Sequence, residues 1–130
     1  DVAGVLADQG EEVAALIVEP VAHNSPSIQP VAGFLEGLRK LCDEYGVILS
    51  FDEVITGIRH HLGGFQAICG VAPDLTCMGK AIANGYPVAV VAGRRELMAR
   101  YNTTATGDVT FAGTYNGGAV GLAAAAATLP

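Results

Sequence analysis

The chain has 130 residues, 51% of them hydrophobic, and a formal charge of −6 from 13 acidic and 7 basic side chains. Arg39-Lys40 and Arg94-Arg95 are its only adjacent basic pairs, so nothing gathers enough cations to neutralise several phosphates, and a nucleic-acid surface is excluded. Its apolar stretches are broken by Gly or Pro well short of the roughly 18 residues that mark a membrane span.

Residues 2–7 read as the end of a helix, and Val13 to Val18 as a buried strand terminated by Glu19-Pro20. The loop from Val21 to Pro30 gathers the turn formers Asn24, Ser25, Pro26 and Pro30. An amphipathic helix follows. Phe34, Leu35, Leu38, Leu41, Cys42 and Tyr45 recur at helical spacing, charged residues take the other face, and Gly46 stands where the helix should end. Val47 to Phe51 is then a second strand, which completes a βαβ unit with a right-handed crossover expected. Residues 56–64 carry three glycines and predict an exposed loop, with a short helical piece near Gln66 to Cys69. Leu75 to Met78 reads as a strand. Val88 to Ala92 reads as another, antiparallel to it because the link between them is short and contains Gly85 and Pro87. A helix from Arg94 to Tyr101, a polar loop from Asn102 to Asp108 and a small-residue helix from Gly118 to Thr128 complete the expectation. No internal repeat or second domain is evident.

Three cysteines, Cys42, Cys69 and Cys77, are odd in number and form no Cys-x-x-Cys pair, which predicts free, packed thiols and a reducing cytoplasm. No secretory signal opens the chain. Residue 1 is Asp rather than Met, and Pro130 follows directly on the alanine run 123–127; the sequence is expected to be a middle piece of a longer protein.

Two residues carry the sharpest chemistry. Asp52 ends the apolar run Ile48-Leu49-Ser50-Phe51, and Lys80 follows Leu75-Thr76-Cys77-Met78-Gly79. Parallel strands deliver functional groups at their carboxyl ends, so an acid and an amine are expected on one rim. On local sequence alone the ordinary alternatives stand: a lysine snorkelling from a strand end, and an aspartate capping a helix. Gly113-Thr114 allows close backbone approach to an anion with a hydroxyl donor beside it, but by itself the pair is a weak signal that an ordinary turn explains better. Glu19 lies at a strand end on the same expected rim. A P-loop, a Gly-x-Gly-x-x-Gly turn and a Gly-x-Ser-x-Gly elbow are all absent. His23 and His60-His61 lack partners at metal-ligand spacing, so no metal is expected.

At these residues the chain resembles the class III pyridoxal-phosphate-dependent aminotransferases, of fold type I. The resemblance is carried in order by Ala15 to Val21, by GFLEGLRKLCDEYG at 33–46, by LSFDEVITGIR at 49–59, by PDLTCMGKAIANGYP at 73–87, by AGRRELM at 92–98 and by FAGTYNGG at 111–118. GKAIANGYP and AGRRELM lean toward the glutamate-1-semialdehyde 2,1-aminomutase-like branch. The resemblance implies an α/β fold: part of the three-layer, aspartate aminotransferase-like large domain, with a mostly parallel sheet and one antiparallel strand. Residues 1–130 would belong to that pyridoxal 5'-phosphate-binding domain, with an N-terminal segment and a C-terminal lobe outside them. It also implies that Lys80 is the aldimine lysine, that Asp52 faces the cofactor's ring nitrogen, and that Val54 packs on the ring, with Glu53 in support. Gly113 and Thr114 would hold the cofactor phosphate of a neighbouring subunit in a homodimer with shared active sites. Glu19 is kept as a further cofactor-binding residue, and His60-His61 would lie near the site entrance. The implied reaction moves an amino group between an amine or amino acid and a carbonyl compound; the alternatives are an intramolecular shift, as in an aminomutase, and an inert relative with a binding or regulatory role.

Overall fold

A computed structural model describes residues 1–102 and 107–130. Its frame is a four-stranded sheet in sequential order, formed by β1 (Ala15–Val18), β2 (Ile48–Glu53), β3 (Leu75–Met78) and β4 (Val90–Gly93). The first three strands are parallel and β4 runs antiparallel to β3. This is the mixed sheet implied by the sequence. The crossover between β1 and β2 is α2 (Phe34–Tyr45), and Gly46 closes it in the left-handed conformation at φ 67°, a geometry that glycine adopts without steric cost. α1 (Val2–Gln9), α3 (Gly64–Cys69), α4 (Arg95–Met98) and α5 (Ala119–Thr128) complete the helices.

Strand alternation divides the sheet into two unequal faces. On one, Leu49 and Phe51 of β2 are fully buried against Leu6 of α1 and Leu35, Leu38 and Cys42 of α2, with Leu16 and Val18 of β1 packed at the margin. Each fully buried side chain of that size contributes about 1.5–3 kcal/mol relative to exposure. Burial also pushes the Cys42 thiol above its ordinary pKa, as expected of a packed, inert cysteine. The other face follows from the register Ile17↔Ser50 and Asp52↔Cys77↔Val91. It leaves Ile17 64% exposed and Val91 37% exposed.

Several boundaries depart from expectation. β1 is shorter than the buried strand expected from Val13, and it alternates rather than being buried throughout, because it is an edge strand with one covered face. β2 continues two residues past Phe51, since Asp52 and Glu53 pair with Cys77 and Met78. β4 is displaced by two residues at its start, and the expected helix 94–101 becomes α4 followed by a 3₁₀ turn at Ala99–Tyr101. Within the glycine-rich loop, Thr56, Gly57 and Gly64 are buried rather than exposed. Part of the expected polar loop 102–108 lies outside the described residues.

Asp74, at the amino end of β3, ties the sheet to its surroundings. Its Oδ2 accepts from Leu49 N–H and from Arg39 Nη1, both at 2.8 Å, while its Oδ1 accepts from Arg94 Nη1 at 2.9 Å. Burial alone would raise its pKa, but the bonds from Arg94, Leu49 and Arg39 outweigh that and hold the carboxyl below its ordinary range. A single carboxylate thereby joins β2, α2 and the end of β4. Among the described residues no helix is long and apolar enough to cross a membrane, and no cluster of three or more His, Cys, Asp or Glu could hold a metal.

Candidate active site

The carboxyl ends of β2 and β3 form one rim because their last residues are in register, Asp52 with Cys77 and Glu53 with Met78. The contact continues one step further. A methyl group built on Gly79 would lie 3.5 Å from Val54 Cγ1, ordinary van der Waals distance, so the segments leaving the two strands run side by side. Asp52 is half-buried on the sheet face away from α1 and α2, and its Oδ1 accepts from Val54 N–H at 3.0 Å. This local turn, and not the capping of a helix, is its structural role.

Lys80 follows Gly79 and leaves the strand in the left-handed region at φ 45°. It is exposed, and among the described residues its side chain has no hydrogen bond or ion pair. It lines an open cleft of about 460 Å³ with Arg59, Asn84, Tyr86, Pro87 and Val88 among its walls. Backbone strain gathers here. Asn84, at φ 48°, tolerates the conformation, but Lys80 and the β-branched Ile58, at φ 65°, do so at a cost of about 1–3 kcal/mol each. Such residues persist only where the surroundings hold them. Asp52 does not line this cleft; the structure brings it to the same strand-end rim as Lys80 without joining the two in one cavity.

Glu53, expected among the cofactor-binding residues, faces the other way. Its side chain is fully buried on the helix-covered face, where Oε2 accepts from Thr56 Oγ1 at 3.0 Å and Phe65 N–H at 2.5 Å. Its Oε1 accepts from Gln66 N–H at 3.2 Å and Gln66 Nε2 at 3.3 Å. Gly64 is required beside it, since a Cβ there would stand 2.6 Å from Oε1. Period-two alternation makes this outcome unavoidable once Asp52 takes the open face. Glu53 therefore reaches the rim only through the loop it holds.

Glu19 also acts on a loop, accepting from His23 N–H at 3.2 Å. His23 in turn meets His60 with the two Nε2 atoms 2.9 Å apart, and its Nδ1 lies 3.1 Å from Ser27 Oγ. These contacts link the loop after β1 to the loop after β2; His61 serves its own loop by accepting from Gly63 N–H. Gly113 and Thr114 lie on an exposed turn closed by Asn116 N–H donating to Gly113 O at 3.0 Å. The following residues, Tyr115 to Gly118, line a second cleft of about 450 Å³ that shares only Pro87 and Val88 with the Lys80 cleft. α5 sits behind that shared wall. Gly121 lets it approach, as a Cβ there would fall 2.9 Å from Pro87 O. Thus Asp52, Val54 and Lys80 are grouped at one rim, Glu19 stands at the adjoining carboxyl end of β1, where Val18 pairs with Phe51, Glu53 faces the opposite side of the sheet, and Gly113 and Thr114 lie on a separate turn. Arg59, Asn84 and Tyr86 are cleft residues that sequence reasoning missed; the available signal was the pair of polar side chains flanking the turn glycine Gly85, and Arg59 carried none.

Solved structures share this architecture. A PLP-bound transaminase superposes with a TM-score of 0.89 at 31% identity, covering 97% of this chain and 30% of that one. An ω-transaminase from Sphaerobacter thermophilus gives 0.88 at 34% identity, covering 97% and 29%. A glutamate-1-semialdehyde aminomutase from Pseudomonas aeruginosa PAO1 in complex with PMP gives 0.83 at 32%, covering 98% and 29%. The fold is thus that of the PLP transaminases. The chain belongs to the class-III aminotransferase family, whose model matches residues 1–130. Among curated relatives, the glutamate-1-semialdehyde 2,1-aminomutase of Syntrophobacter fumaroxidans is 50% identical over 129 residues, or 99% of this chain. That of Pelotomaculum thermopropionicum is 52% identical over 121 residues, or 93% of this chain. The chain spans under a third of these relatives' length, 29% and 27% respectively.

Proposed function

We propose that the protein containing this chain moves an amino group between an amine or amino acid and a carbonyl compound, using pyridoxal 5'-phosphate held by Lys80. Residues 1–130 form part of its cofactor-binding large domain, with further segments on either side. The observation that carries the reading is the shared rim, where β2 and β3 end in register with Val54 against Gly79 and a strained lysine follows at once. The residues present fit the cofactor: an unpartnered amine on a cleft, and a carboxylate with one oxygen still available to accept from a ring N–H.

Pyridoxal phosphate supplies an aldehyde for condensation with an amine and a ring that accepts electrons. Lys80 Nζ would be the attachment point, and its freed amine would be placed to carry a proton between the substrate Cα and the cofactor's aldehyde carbon, as general base and then acid. Asp52 would hold the ring nitrogen protonated through its carboxylate, and Val54 would offer an apolar surface on the same rim. Glu53 holds the loop 56–66 rather than the cofactor. Thr114, exposed on its turn and away from the Lys80 cleft, suits a phosphate contact made to a second subunit, which supports a homodimer with shared sites. Three free thiols suit a reducing cytoplasm. A second reading, an intramolecular amine shift as in an aminomutase, is favoured by the names of the two curated relatives. It would use the same residues on one carbon skeleton.

The test is the visible absorbance of the full-length protein with pyridoxal phosphate, before and after borohydride, beside Lys80→Ala. A band that borohydride fixes to Lys80, and that the variant lacks, is the expected result. Absence of any band in the intact protein would refute the reading.

A further inference from the structure

Two loops that leave adjacent strands are joined by a pair of histidines. His23, half-buried in the loop after β1, meets His60 of the loop after β2, with their Nε2 atoms 2.9 Å apart. The ring centroids stand 5.1 Å apart, close to the most that such a contact allows, so the two nitrogens point at one another rather than at a shared third point. The backbone on both sides is fixed beforehand. Ala22 and Ile28 exchange both N–H···O bonds and close the loop that carries His23, while Glu19 accepts from His23 N–H. His60 N–H donates to Thr56 O at 3.1 Å, and the Thr56 hydroxyl is held by Glu53.

A bond between two imidazole nitrogens needs one donor and one acceptor. Two neutral rings supply them by carrying their protons on opposite nitrogens, and a pair with one added proton supplies them too. Two protonated rings present N–H to N–H and charge to charge. Ser27 Oγ, 3.1 Å from His23 Nδ1, suits each arrangement because a hydroxyl both donates and accepts. The charged and titratable groups around the pair are Glu19 on the His23 backbone, Glu53 of β2 beyond the Phe65 ring that meets His60 edge-on, and Arg59 and His61 on either side of His60 in the chain. We propose that His23 and His60 form a proton-operated latch between the two loops, closed while the pair carries at most one added proton and open once both rings are protonated. Its contribution to loop stability is present above the range of histidine titration and is lost as pH falls through it. Release loosens the segment around Arg59, which lines the Lys80 cleft. The latch itself requires nothing of Lys80.

The experiment is amide hydrogen exchange in the full-length protein, read by mass spectrometry on peptides from segments 21–30 and 56–63 at about pH 8 and about pH 5. Each variant is compared with wild type at the same pH, so the intrinsic pH dependence of exchange cancels. At the higher pH, His60→Leu should exchange about 2- to 10-fold faster than wild type in both segments, the scale of one hydrogen bond. At the lower pH the two should coincide. His60→Gln carries an amide that donates or accepts without titrating, so it should match wild type at the higher pH and be the better protected of the two at the lower. His61→Asn, which keeps an acceptor for Gly63 N–H, should retain the wild-type pH step. A His60→Leu difference that persists undiminished at the lower pH overturns the proposal, and so does its absence at the higher. Should His60→Leu fail to fold, His60→Gln decides alone: a profile that follows wild type through both pH values sinks the latch.

Discussion

At the amino end of β3, the Asp74 carboxylate commits both oxygens to Leu49, Arg39 and Arg94. At the carboxyl ends of β2 and β3, Asp52 keeps one local bond and Lys80 has none among the described residues. The first region joins four elements and satisfies a buried charge, the condition under which such a charge supports a fold. The second does the reverse, holding a lysine in a strained conformation with its side-chain amine unpartnered among the described residues. Groups that are already paired cannot be available to a ligand. On the proposed function, the contrast separates residues that hold the sheet from residues kept for chemistry.

Replacing Lys80 tests the contrast most severely. Lys80→Gly should lower activity of the full-length protein by about 10³-fold or more, the scale of losing a general acid-base group. Thermal stability should hardly fall. Relief of about 1–2 kcal/mol of left-handed strain offsets the roughly 0.5–1 kcal/mol cost of glycine's added unfolded freedom. Asp74→Ala should show the opposite pattern, a loss of about 3 kcal/mol in urea unfolding with borohydride labelling of Lys80 retained in the folded fraction.

Acid titration sharpens the same point. The folded state holds the Asp74 carboxyl below its ordinary value, so its stabilisation is fully present above the ordinary carboxylate range and is lost as pH falls through the depressed folded value. Asp74→Asn should flatten that acid limb, as measured by melting temperature between neutral pH and pH 2. Glu53→Gln sits between the two regions. It turns a donor toward backbone N–H groups that need an acceptor, with an expected cost of about 1–3 kcal/mol and faster hydrogen exchange at Phe65 and Gln66. The smallest effect should come from Asp108→Asn. Its exposed pair with Arg100 is well formed, yet solvent screening predicts no measurable change in melting temperature.

What the sequence revealed depended on whether the signal was local. α2 was legible because its apolar spacing and Gly46 are contained within fourteen residues, and β3 because its apolar run has clear breaks. The two extra residues of β2 were not, since Asp52 and Glu53 are polar and join the ladder only through Cys77 and Met78, some 25 residues later. The burial of Glu53 was hidden for the same reason: three of its four donors belong to Phe65 and Gln66. At the rim, Lys80 and Asp52 could be singled out as strand-end groups, but the left-handed turn that presents Lys80 leaves no mark in composition. Arg59 was passed over because its side-chain bond goes to a backbone carbonyl, that of Ile55, which leaves no pattern in the sequence.

Asp52 and Glu53 are neighbours with opposite assignments, one on the open face and one locked beneath the loop it anchors. Substituting either changes a single function, whereas inserting or deleting one residue within β2 would exchange their faces, sending the loop anchor toward the rim and the rim acid into the apolar interior. The strand should therefore tolerate many changes of side chain and no change of length.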